Sequence, residues 1–330
     1  MAKSKKQLKA ALQSQQSRLK LKDKQKAAAA AAQSAELAAK KQQPAKNKGK
    51  GRKSTTQPIP TTRRPTVPFR ATDKILLIGE GNFSFARALV RNPPSIEPSL
   101  QHLPSRNVTA TAYDTEAECY SKYPEAEEIV QDLRAAGADV LFGVDATRLE
   151  RVGTLKGRRW DKIVWNFPHA GKGIADQDRN ILSNQLLVLG FLRSAAGFLA
   201  QGPIPNVLAY KKRKRVSDAA NADEDDALDS DEEERPQTSS ERGRVLITLR
   251  NVAPYTQWDV PRLAKNPPAR QSSSAPENPP YILLRSFVFH RDIWESYEHR
   301  MTKGERAHGT GRTGEGGEDR TWEFCLKSGS

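Results

Sequence analysis

Four consecutive residues, Asn166-Phe167-Pro168-His169, bring together an amide, an aromatic ring, a carbonyl that precedes proline, and an imidazole. They close the apolar run Ile163-Val164-Trp165. Proline has no backbone N–H and cannot extend a central ladder, so the chain must turn there. The turn sets its side chains at the carboxyl end of a strand, the edge where open α/β sheets bind ligands. Asn166 can hydrogen-bond a carbonyl or imino group of a planar heterocycle, and Phe167 can stack on its ring. The Phe167 carbonyl is not needed by a ladder and is a further acceptor. The ordinary pKa of His169 suits a general base; its alternative role is to cap the turn before Gly171. The set suits group transfer to a ring nitrogen that must lose a proton.

A second cluster lies upstream, in Ile75-Leu76-Leu77-Ile78-Gly79-Glu80-Gly81-Asn82-Phe83-Ser84. It reads as strand, glycine turn and helix start. Gly79 and Gly81 allow positive φ and close approach of backbone to a ligand. Ser84 stands where a dinucleotide-binding turn has its third glycine, which weakens a pyrophosphate reading. A ligand without phosphates needs that glycine less, and S-adenosylmethionine is such a ligand. Many enzymes that use it also hold a planar nitrogen with an Asn-x-Pro-aromatic ending. Asp114, after the second strand, can accept both hydrogen bonds of a ribose diol and would repel a 2′-phosphate. Asp145, in Asp145-Ala146-Thr147 after the third strand, is placed to meet an adenine amino group. Either carboxylate alone is equally a helix cap or turn former.

The elements that position these residues follow from apolar patterning. Buried strands are expected at Ile75–Ile78, 108–113, 140–144, 162–165 and 245–249, with later strands at 281–289 and 322–326. Helices are expected at 84–90, at 124–136 with Pro124 in its first turn, and at 179–199. Strands alternating with helices imply an α/β fold built on a mostly parallel, doubly wound sheet with a late antiparallel strand. Residues 71–327 form this domain, interrupted by surface insertions at 201–243, 264–280 and 302–320.

The 330-residue chain carries a net charge of +15. Residues 1–70 alone hold 19 Lys and Arg against Asp23 and Glu36, which is +17 and leaves the rest at −2. This Ala-, Gln- and Lys-rich stretch has few large apolar residues to bury and reads as a disordered basic tail. Such a tail contacts a polyanion, chiefly nucleic acid, or serves solubility. Lys211-Lys212-Arg213-Lys214-Arg215 reads as a nuclear-import signal or a solvated charge run, followed by ten carboxylates from Asp218 to Glu234. Two cysteines, Cys119 and Cys325, without CxxC or a His-rich pattern argue against a disulfide framework and a metal site. No run is long and apolar enough to span a membrane.

The residues IGEGNFSFARAL, YD, VDAT, WNFPHAG, TLRNVAPYTQW and YEHRMT together resemble the eukaryotic large-subunit (25S-type) rRNA uridine-N3 methyltransferases. The resemblance covers about 71–200, 244–263 and 281–327. It implies a Rossmann-like class I methyltransferase domain, S-adenosylmethionine as cofactor, and ribosomal RNA or a preribosomal particle as partner in the nucleolus of the nucleus. Where the family usually has Pro-Gly before the tyrosine, this chain reads Asp292-Ile293-Trp294-Glu295-Ser296. On this reading Asn166, Phe167, Pro168 and His169 are catalytic. The cofactor meets Gly79, Glu80, Gly81, Asn82, Phe83, Ser84, Asp114, Asp145, Ala146 and Thr147. Tyr255, Trp258, His299 and Arg300 are candidate RNA contacts, with core packing as their alternative. Two other classes remain at this point. One is a nucleolar RNA-binding assembly factor that keeps the fold without catalysis. The other is an NAD-dependent oxidoreductase, which Ser84 opposes.

Overall fold

Ile75–Ile78 is buried at every position, as a central strand covered on both faces must be. It forms β1 of a computed structural model that describes residues 64–205, 241–269, 276–300 and 317–327. Within one compact unit the chain then runs α1 (Ser84–Arg91), β2 (Val108–Thr111), α2 (Glu116–Lys122), α3 (Ala126–Ala135) and β3 (Asp139–Leu141). It continues through β4 (Lys162–Asn166), α4 (Gln177–Ala196), β5 (Arg244–Arg250), α5 (Val260–Lys265), β6 (Tyr281–Val288) and β7 (Asp319–Leu326). The seven strands form one sheet in the order β3-β2-β1-β4-β5-β7-β6. β1 to β5 are parallel, and β7 inserts antiparallel between β5 and β6. The chain therefore has the expected α/β, Rossmann-like architecture, with its reversed strand arriving last.

Side chains alternate across each strand. Ile75 and Leu77 of β1, Val164 of β4 and Leu246 of β5 join one cluster with Phe85 and Leu89 of α1 and Ile129 and Leu133 of α3. The opposite face takes Trp165, whose ring meets Phe191 of α4 edge-on at 4.7 Å.

Several boundaries differ from the sequence expectation. β2 stops at Thr111, short of the exposed Tyr113, and β3 stops at Leu141, short of Val144. Pro124 lies in the turn ahead of α3, where Ala126 N–H bonds to the Tyr123 carbonyl. α2 was not expected. It starts with a full capping box, in which Thr115 Oγ1 accepts from Glu118 N–H and the Glu118 carboxylate accepts from Thr115 N–H. The supposed basic tail ends earlier than residue 70: Phe69 is 4% exposed and packs on Phe85 and Trp294 at 6.3 and 5.8 Å. The segment expected as an insertion at 302–320 gives Asp319 and Arg320 to β7, and that at 264–280 gives Ala264 and Lys265 to α5. Residues 1–63 and the basic run Lys211 to Arg215 lie outside the described residues.

Candidate active site

Ile78 pairs with Trp165 in parallel register, so the bends after β1 and β4 leave the same edge on adjacent strands. Strands so paired lie about 4.8 Å apart. Gly79 and Asn166 therefore begin neighbouring turns. Gly79 has φ +65°, and a Cβ there would come within 2.7 Å of the Trp165 indole nitrogen. Positive φ and this contact together restrict the position to glycine.

The glycine turn is braced from within. Asn82 is buried; its Oδ1 accepts from Ser84 N–H at 3.2 Å and its Nδ2 donates to Glu125 at 2.8 Å. Glu80 turns under α1, where its carboxylate accepts from Ala86 N–H at 3.3 Å. Burial pushes its pKa up to about 7 despite the amide bonds from Ala86 and Phe85. Phe83 has φ +62°, is fully buried and meets Phe142 edge-on at 5.3 Å. Its ring is core, not a cofactor contact.

The two strand-end carboxylates are already in use. Asp114 Oδ1 takes an ion pair from Lys122 at 2.6 Å. Asp145 Oδ1 accepts from Thr147 N–H at 2.8 Å and from its hydroxyl at 2.7 Å, capping a short 3-10 turn. Ala146 is buried, and Thr147 packs where a Cβ on Gly190 of α4 would stand.

At the end of β4, Phe167 has φ +53° and its N–H bonds to the Thr248 carbonyl at 2.8 Å. Its half-buried ring has protein neighbours: the Arg291 guanidinium lies 4.8 Å over it, His299 4.3 Å away and Phe289 6.0 Å away. These contacts orient the Phe167 ring in the turn while part of it stays exposed. Pro168 is buried behind it. Asn166 is different. It lines a small cavity with Thr248, Thr321, Phe85 and Phe289, and its buried Nδ2 has no hydrogen-bond partner among the described residues. The fold makes no use of this amide donor.

His169 is exposed, and its Nδ1 accepts from Gly171 N–H at 2.9 Å. Its ring lies 6.1 Å from that of Trp258. Trp258 is 1% exposed, and the carbonyls of Gln257 and Trp258 are bonded by Gln185 of α4. Trp258 has no free face for a base and is a packing residue; Tyr255, 5.3 Å from it, is partly exposed.

Two candidate RNA residues sit on a late segment that crosses this edge. His299 packs on Phe167; burial, with Arg291 and Arg250, holds it neutral with a pKa near 3. Arg300 lies over the glycine turn, its Cβ 3.4 Å from the place of a Cβ on Gly81, and pairs with Glu125 at 2.8 Å and Glu298 at 2.6 Å. Ser296 has φ +66°, a left-handed conformation that glycine suits better than serine. Sequence reasoning missed Tyr123, Glu125 and Arg291, which touch the site from other elements and lie in no local motif.

Comparisons with known proteins bear on the family of the chain. The sequence profile described as BMT5-like, rRNA (uridine-N3-)-methyltransferase BTM5-like, matches residues 76–301. A Saccharomyces cerevisiae protein named 25S rRNA (uridine(2634)-N(3))-methyltransferase is 28% identical over 287 residues, covering 81% of this chain and 76% of the yeast protein. An uncharacterised Arabidopsis thaliana protein is 37% identical over 200 residues, which is 60% of this chain and 72% of that protein. The Homo sapiens ferredoxin-fold anticodon-binding domain-containing protein 1 is 39% identical over 131 residues, 40% of this chain and 19% of the human one. The match to the profile spans most of the folded unit, and the chain belongs to the BMT5-like rRNA (uridine-N3-)-methyltransferase family.

Proposed function

We propose that this rRNA (uridine-N3-)-methyltransferase acts on a large-subunit uridine during ribosome biogenesis in the nucleolus, with S-adenosylmethionine as methyl donor. The observation that carries the reading is the uncommitted amide of Asn166, one strand away from the glycine bend. A buried donor left without a partner costs about 1–3 kcal/mol, so its retention calls for a partner that comes from outside the fold.

The residues at the glycine bend fit the cofactor. Gly79 and Gly81 put no side chain of their own between backbone and ligand, though Trp165 and Arg300 stand against them, and Asp114, which follows β2 and pairs with Lys122 through Oδ1, has a second oxygen for a ribose hydroxyl. When bound, S-adenosylmethionine supplies an electrophilic methyl group carried on a sulfonium. Asp145, Ala146 and Thr147 form the turn that follows β3, with one Asp145 oxygen already committed to Thr147.

Uracil N3 bears an acidic hydrogen between two carbonyls and is paired in a duplex, so the target must be single-stranded or flipped. In our reading Asn166 donates to a uracil carbonyl and orients the ring. His169 acts on the same charge from the other side. Because Nδ1 accepts from Gly171, the neutral ring carries its proton on Nε2. It then donates to a uracil oxygen and stabilises the anion left when N3 gives its proton to solvent water, before that nitrogen takes the methyl group. The base role expected from sequence would require the Gly171 bond to break. His169→Ala is expected to lower turnover about tenfold to a hundredfold. His169→Gln, which keeps a donor near Nε2, should recover most of it. A Gln variant as inactive as Ala would return His169 to the role of base.

The basic residues 1–70 supply the nonspecific attraction to RNA in this reading, since the rest of the chain is near neutral. Lys211 to Arg215 serve nuclear import.

A further inference from the structure

Ser84 occupies the place of a third glycine, and the structure shows what its hydroxyl does there. Ser84 Oγ donates to the Glu298 carbonyl and accepts from the Glu298 N–H, both at 3.0 Å. This two-way bond ties the first residue of α1 to a segment 214 positions further along the chain. Two residues on, Arg300 lies against the glycine turn, with the Tyr123 hydroxyl also 3.6 Å from the place of a Cβ on Gly81. Nη2 of Arg300 is held by Glu125 and Glu298, and the same Glu125 oxygen accepts from Asn82 Nδ2. Arg300 Nε is buried and has no hydrogen-bond partner among the described residues.

We propose that Arg300 receives the carboxylate of the cofactor's amino-acid end, and that Ser84, Asn82 and Glu125 are the positioning residues that hold it against the glycine turn. The proposal rests on S-adenosylmethionine as the cofactor. A guanidinium with an unused N–H binds a carboxylate oxygen through a charge-assisted bond. The two carboxylates beside it match the ammonium of the same amino-acid end, so the site carries both signs, as its zwitterionic ligand does. An RNA phosphate, which offers only negative charge, would meet Glu125 and Glu298 as well as Arg300 and is disfavoured at this place. The same contacts explain why serine is tolerated where a pyrophosphate-binding turn needs glycine: no phosphate passes over Ser84, and its hydroxyl anchors the segment that carries the arginine.

Isothermal titration with two ligands separates this role from general support of the fold. S-adenosylhomocysteine has the amino-acid end; 5′-methylthioadenosine shares the adenosine and the sulfur but lacks it. Arg300→Met is expected to weaken S-adenosylhomocysteine about tenfold to a hundredfold and to leave 5′-methylthioadenosine unchanged, which also shows that the variant is folded. Arg300→Lys should fall between wild type and Met. Ser84→Ala should give a smaller loss of the same selective kind. Equal loss for both ligands overturns the proposal, as does a loss of rRNA affinity with S-adenosylhomocysteine binding intact. Failure of the wild-type protein to bind either ligand would instead overturn the cofactor assignment.

Discussion

Asn166→Ala should reduce methyl transfer to uridine about a hundredfold or more with little change in thermal stability. The two halves of this expectation come from one observation. Most buried amides are committed to the fold, and removing one destabilises the protein because its partners are stranded. Asn166 Nδ2 has no such partner among the described residues, so the alanine variant strands nothing. If the amide exists to bind a uracil oxygen, its removal withdraws a donor placed where negative charge develops. The measurement pairs turnover on rRNA with a melting curve of the same preparation. A variant that melts as wild type and works as wild type would remove Asn166 from the site. One that loses activity only in proportion to a lower melting temperature would make it a structural residue.

A large stability effect is expected at the opposite edge of the sheet. Glu323 of β7 is fully buried and takes contacts from Lys162 of β4 at 3.1 Å, Arg244 of β5 at 2.9 Å and Arg285 of β6 at 2.5 Å. Lys162 and Arg244 are themselves buried. One carboxylate thus joins the parallel part of the sheet to its antiparallel end. Burial alone would raise its pKa, but Lys162, Arg285 and Arg244 hold it down to about 2. Glu323→Gln takes this partner from Lys162 and Arg285 and leaves Arg244 with Glu241 alone, and breaking a buried pair from one side costs about 3–5 kcal/mol. For a domain of this size that lowers the melting temperature by roughly 10 °C. The pH dependence carries the same signature. The folded-state pKa lies below the ordinary 4.5, so the stabilisation is complete above that pH and is lost as pH falls toward 2. The Gln variant should lack this part of the acid transition. A variant as stable as wild type at pH 7 would show that the cluster contributes nothing net.

Much of the frame is legible along the sequence because it is local. The unbroken apolar run Ile75–Ile78, followed by Gly79-Glu80-Gly81, announces both a buried strand and a turn. Asn166-Phe167-Pro168-His169 announces a strand that must stop. α2 was equally legible: Thr115 and Glu118 form a capping-box pattern that apolar periodicity alone passes over in a helix with one buried residue. Other features depend on partners far away in sequence. Phe69 stands in a Pro- and Thr-rich stretch with no period, and only Phe85 and Trp294 make it core. Phe167 and Trp258 are aromatic residues beside the site, where stacking on a base and packing on protein look alike until their neighbours are known. Ser84 reads as a defect in a glycine motif until its bond to Glu298 is seen. Ser296 gives no turn signal as a residue type, and only its φ of +66° shows the left-handed backbone there.

The central claim is that the turn after β4 presents a uridine for methylation at N3. Ribosomal RNA from a strain lacking this protein, incubated with the purified enzyme and S-adenosylmethionine and then digested to nucleosides, tests it by mass spectrometry. The account predicts N3-methyluridine with the wild-type protein and nearly none with Asn166→Ala. A methyl group on another atom, or N3-methyluridine formed equally by the variant, would contradict it.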